Sequence, residues 1–200
     1  MAERIVVCAL GDSITAGSPG YDPNPAERVR RGFGDDAESQ WEHWAALRDP
    51  RLEFRNHGIY GQRTDEIVSR LEGCAVGADV LIVQGGINDI AQGRPVEAAA
   101  ENLQWMVRRV RELGLGVALA DVLPWNNGWP DTELQIRGLN ELVGELVREE
   151  RVALLPFYDT LEDPDRPGRM REDWTAEGDH PSVAGYRRLG ERAFRLPDLP

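Results

Sequence analysis

Lysine is missing altogether from this 200-residue chain: its 23 basic residues other than histidine are all arginine, set against 35 acidic residues, for a net charge of −12. That balance leaves no basic face for nucleic acid or an anionic membrane surface, and neither is expected as a partner. Cysteine is almost as scarce. Cys8 and Cys74 have no further Cys or His at ligand spacing, which argues against a disulfide framework and a zinc site and leaves no metal or other cofactor implied. Long apolar runs are absent too, since none approaches the ~20 residues of a membrane span. The opening, MAERIVVCAL, carries one Arg and leads straight into a strand-like run rather than through the apolar centre of a signal peptide to a cleavage site. A cytoplasmic location is the expectation, although a leader trimmed beforehand would leave the same sequence. With no internal repeat or low-complexity segment, residues 1–200 have the length of one domain whose core needs no staple.

What is present starts with residues 4–15, RIVVCALGDSIT. A β-branched, apolar run stops at Gly11-Asp12-Ser13 and gives way to a segment able to start a helix. A short buried strand ending in this way puts a hydroxyl at the carboxyl edge of a sheet, beside the N–H groups of the next helix. Ser13 is therefore placed like a nucleophile, with a helix cap as the plain alternative.

Further strands are expected at 52–56, 79–84, 116–123 and 152–157, and helices at 35–47, 64–71, 95–113, 131–149 and 183–194. Residues 16–33 read as irregular with a short helical turn, and 162–173 as a charged, proline-containing stretch. The strands are continuous apolar runs, not alternating ones. That pattern predicts a three-layer α/β fold with a five-stranded parallel sheet covered on both faces. In such sheets the loops at the carboxyl ends of the strands form the binding edge. Ser13, the Gly61 loop, Asn88, the Trp125 loop and His180 follow the five strands in turn, so all five fall on one rim.

Acyl transfer needs a nucleophile, a base in hydrogen-bond reach, a group that orients the base and donors aimed at the oxyanion. The chain offers Ser13 and only three histidines. His180 stands out because EGDHP, residues 177–181, sets carboxylates beside an imidazole that a turn and a proline would hold.

Four blocks carry a family resemblance. GDSIT at 11–15, NHGIYG at 56–61, GIND at 86–89 and EGDHPS at 177–182 resemble, in order and from end to end, the sequence blocks of the GDSL/SGNH hydrolases. The resemblance implies a flavodoxin-like strand order, 2-1-3-4-5, and a serine hydrolase acting on a small-molecule ester or thioester. It maps the nucleophile to Ser13, the base to His180, and the oxyanion donors to the Ser13 N–H, the Gly61 N–H and the Asn88 side chain. Glycine at 61 has no Cβ to obstruct a carbonyl, and a neutral Asn amide donates without opposing an imidazolium. Asp89, next to Asn88, reads as the cap of the helix that follows.

The family's acid is an Asp three residues before the His, where this chain has Glu177. Asp179 competes for that role, and a backbone carbonyl is a third way to orient the ring; Glu177 is favoured because adjacent side chains diverge. Specificity is expected from residues 18–33, 59–63 and 125–129 and from the approach to Trp174. Trp125, Trp129 and Trp174 are candidate contacts for an acyl chain, an aromatic alcohol or a sugar face, or else lids on the core. The polar loop PWNNGWP leans towards small acyl esters or acetylated carbohydrate. A non-catalytic flavodoxin-like ligand-binding or interaction module is the competing reading; no GxGxxG follows the first strand, and Asp12 would repel a phosphate there.

Overall fold

In the computed structural model, which describes residues 3–199, five parallel strands lie in the order β2-β1-β3-β4-β5. In chain order β1 is Ile5–Gly11, α1 Ser13–Ala16, α2 Pro25–Arg31, α3 Trp41–Arg48, β2 Leu52–Gly58, α4 Thr64–Val68 and α5 Leu71–Ala75. Next come β3 Val80–Val83, α6 Ile87–Ala91, α7 Val96–Glu112, β4 Gly116–Ala120, α8 Thr132–Glu150 and β5 Ala153–Leu155. The chain continues through α9 Phe157–Leu161, β6 Glu162–Asp163, β7 Arg166–Met170 and α10 Val183–Arg188.

Strand pleating sends alternate side chains to opposite faces, and both faces here meet apolar layers. Cys8, Leu10, Leu81, Val83, Val117 and Leu119 join one core with α4 to α8, while Val7, Ala9, Val80, Ile82, Ala118 and Ala120 join another with α3, α9 and α10. Two covered faces explain why β1, β3 and β4 are apolar throughout, whereas β2, at one edge of the sheet, carries Glu53, Arg55, Asn56 and His57. The second core is built around Trp41, which meets the rings of Phe54, Phe157 and Phe194 at 5.6, 5.9 and 5.7 Å.

Several boundaries depart from the pattern read from sequence. The helix expected at 35–47 begins only at Trp41, because Gln40 is extended (φ −125°, ψ 128°) after a tight turn at Ala37–Ser39. Residues 64–71 break into α4 and α5 about Arg70, whose side chain turns back to the strand ends. The charged stretch 162–173 contains an antiparallel hairpin, β6–β7, whose Met170 reaches the core. The last helix widens after α10 into a π turn, Leu189–Ala193. There a Cβ on Gly190 would lie 2.4 Å from the Trp41 carbonyl, so the missing side chain lets α3 approach closely. Glu42 was unremarkable in sequence, yet it is buried, and burial pushes its carboxyl well above the usual range.

Directly after β4, Asp121 accepts a hydrogen bond from the Tyr158 N–H at 2.8 Å. Burial pushes its carboxyl up from 3.8 to about 7. A folded acid with a raised pKa binds protons that the unfolded chain has already lost, so its contribution to stability falls as pH rises through that window. Asp121→Asn keeps an acceptor for Tyr158 and removes the charge. At pH 8 the variant should melt above wild type by at least about 3 °C, roughly what 1 kcal/mol produces in a chain this size. Melting curves should converge as pH falls towards 4; a gap that widens instead would refute this account.

Candidate active site

Parallel register brings the ends of β1, β2 and β3 together: Gly11 pairs with Gly58, and Leu10 with Val83. Just beyond β1, Asp12 caps α1, its Oδ1 accepting from the Ile14 N–H at 2.9 Å. Ser13 is the first residue of that helix, so its N–H has no acceptor within the helix. A Cβ on Gly58 would stand 2.1 Å from the Ala16 nitrogen; glycine there lets α1 rest on the end of β2.

From the far end of the chain, His180 reaches the same place. Its Nε2 lies 3.0 Å from Ser13 Oγ, and its Nδ1 meets Glu177 Oε1. The turn beneath is tightly tied: the His180 carbonyl accepts from the Ala176 N–H at 2.9 Å and from the Thr175 hydroxyl at 3.0 Å. Asp179 points the other way, accepting from Trp125 Nε1 at 2.7 Å and Asn127 Nδ2 at 2.8 Å. Gly178 (φ +99°) makes this division possible, since a Cβ there would meet the Asn127 amide at 2.6 Å.

Asn88 and Gly61 lie on the neighbouring loops. Asn88 Nδ2 donates to the Gln62 carbonyl at 3.0 Å, which uses one amide hydrogen and leaves the second for another acceptor. Gly61 has φ +79°, and a Cβ there would meet nothing within 4 Å, so backbone conformation rather than crowding selects glycine. The loop around it is braced by residues that sequence reasoning passed over. Arg70 donates to the Gln62 side chain at 2.8 Å, the His57 carbonyl at 2.8 Å and the Gly11 carbonyl at 3.0 Å. Gln92 donates to the Gly61 carbonyl at 3.3 Å. Asp89 does not cap its own helix, α6. Its carboxylate accepts from the Thr64 N–H at 2.9 Å and the Thr64 hydroxyl at 2.8 Å, capping α4 instead.

One aromatic ring packs against the imidazole. The Tyr60 ring centre is 5.8 Å from that of His180 with the planes 30° apart, Phe33 lies 5.3 Å from Tyr60, and the Arg31 guanidinium is 4.2 Å from the Tyr60 centroid. Tyr60, Phe33 and Arg31 belong to loops expected to govern specificity, but no pattern singled them out. Trp125 packs edge-on to Trp129 at 5.4 Å, and Trp129 is half exposed. Trp174 is occupied differently: Arg188 and Arg171 lie 4.1 and 5.3 Å from its ring centre, and it packs against the second core.

The pattern that defines the GDSL-like lipase/acylhydrolase family matches residues 9–188. Among curated proteins no relative matches. Among solved structures, one assigned to the lipolytic G-D-S-L family from Desulfitobacterium hafniense DCB-2 aligns with a TM-score of 0.77 at 24% identity, covering 94% of this chain and 97% of that one. A family member from Veillonella parvula DSM 2008 aligns at 0.75 and 22%, covering 95% and 96%. A variant of an acetyl-xylooligosaccharide esterase from a Geobacillus species aligns at 0.73 and 17%, covering 94% and 92%. At these identities the structural likenesses bear on the fold, and the sequence pattern over 9–188 bears on the family: the chain belongs to the GDSL-like lipase/acylhydrolase family.

Proposed function

We propose that the protein hydrolyses carboxylic esters through an acyl-enzyme on Ser13, with His180 as general base and Glu177 as the carboxylate that orients it. The observation that carries this reading is the hydrogen-bonded line from Ser13 Oγ through the His180 ring to Glu177, assembled from residues 167 positions apart. In the first step Ser13 Oγ bonds to the ester carbon as its proton passes to His180 Nε2. The imidazolium gives that proton to the departing alkoxide, and water then releases the acid by the same route in reverse. The Ser13 N–H, the Gly61 N–H and the free Asn88 amide hydrogen are the donors for the oxyanion. Loss of one such donor typically removes about 3 kcal/mol of transition-state stabilisation.

Glu177 is the reading for the acid because Asp179 already has two donors of its own, whereas the Glu177 carboxylate meets Nδ1. Small acyl esters, acetylated carbohydrate among them, are the substrate class in view. Tyr60 and the half-exposed Trp129 offer flat faces suited to a sugar or an aromatic alcohol.

Three measurements test this reading. A fluorophosphonate should label wild type and leave Ser13→Ala unlabelled; an unlabelled wild type would remove the catalytic reading. Glu177→Gln should lower kcat by between about 10- and 10⁴-fold, whereas Asp179→Asn, which leaves the Nδ1 contact alone, should lower it less; the reverse ranking would transfer the role to Asp179. Rates on p-nitrophenyl esters of two to twelve carbons should peak at the short end, and a long-chain peak would count against small acyl substrates.

A further inference from the structure

Gln84 follows β3, and its side chain makes three hydrogen bonds to Asp12 and Thr15, on either side of Ser13. Nε2 donates to Asp12 Oδ2 at 3.1 Å, while Oε1 accepts from the Asp12 N–H at 3.2 Å and from the Thr15 hydroxyl at 2.9 Å. Only this amide orientation is consistent: rotated by half a turn, it would set oxygen against carboxylate and NH₂ against N–H. All three residues are buried, and a Cβ on Gly11 would lie 2.5 Å from Gln84 Oε1 and 2.2 Å from Thr15 Oγ1. The backbone before Ser13 is bare where this tie is made.

We infer that Gln84 is a positioning residue for the Ser13 reaction: its amide fixes the turn that presents the nucleophile and holds the Asp12 carboxylate as the charged cap of α1. This rests on the Ser13–His180 reading above. The charged and titratable groups around Asp12 are His180 from the 175–180 turn, Asp89 from α6, Arg70 from between α4 and α5, and Tyr186 from α10. Burial raises the Asp12 carboxyl to about 6, while the Ile14 N–H, the Gln84 amide and His180 draw it down. Without the amide, the carboxyl would keep its proton to higher pH and the anion would be lost nearer neutrality.

Two variants separate positioning from mere packing, read by kcat, KM and kcat/KM on p-nitrophenyl acetate from about pH 5 to about pH 9, with melting temperature as the check of folding. Gln84→Met keeps an unbranched side chain of similar length and loses every hydrogen bond. Its kcat should fall between about 10- and 100-fold with KM within about twofold, and the acidic limb of kcat/KM should move to higher pH. Gln84→Glu keeps the shape and sets two carboxylates against each other, which can coexist only while sharing a proton. It should therefore show a descending alkaline limb that wild type lacks, and this decides the matter even if the methionine variant fails to fold. Folded variants whose kcat and both limbs match wild type, or whose activity falls only in step with melting temperature at unchanged pH profile, would overturn the proposal. A wild type that neither labels with fluorophosphonate nor turns over would remove the Ser13 reading, and this one with it.

Discussion

The position of β1 between β2 and β3, all three parallel, is the constraint from which the rest of the rim follows. Parallel register makes the strands end together, and each must then shed its chain on the same side. Loops leaving adjacent strands, one strand spacing apart, would collide if each carried side chains at its base. Gly11 and Gly58 remove them where crowding is greatest, so α1 can settle on the end of β2. Arg70 closes the arrangement, one guanidinium joining the Gly11 carbonyl at the end of β1 and the His57 carbonyl one residue before the end of β2 to the Gln62 side chain.

The histidine arrives by a separate device. Its turn is closed on itself by Thr175 and bridged to the aromatic loop through Asp179 and Asn127. The two carboxylates flanking Gly178 therefore divide their work: one faces the imidazole, and the other anchors the turn to a neighbouring loop. The aromatic loop is thus joined by hydrogen bonds to the residue directly before His180.

Much of this was legible in the chain before any coordinates. Five strand-like runs, each followed by a polar break, carried the sheet, and its order came with the resemblance of GDSIT, NHGIYG, GIND and EGDHPS to one family. Two kinds of feature were not legible. Local breaks such as the one at Arg70 depend on a side chain finding carbonyls far away in sequence, and helical periodicity carries no trace of that. The β6–β7 hairpin was hidden because its strands are mostly charged, with Met170 the main apolar clue. The braces of the site, Gln84, Gln92 and Arg70, are polar residues of common types whose partners are backbone atoms or loop side chains. Asp89 was legible as a cap, but its helix was misassigned, because the helix it serves begins 25 residues earlier.

Helix α2 stands apart from everything above. It has its own N-terminal cap in Asn24 and its own left-handed stop at Gly32, it buries none of its residues, and Val29 is 87% exposed. Arg31 and the adjoining Phe33 tie it to the rim through Tyr60. A segment that adds so little to either core can be lengthened, shortened or rewritten at small thermodynamic expense. Descendants of this chain are thus free to alter what approaches Ser13 from that side while keeping the contact between Ser13 and His180.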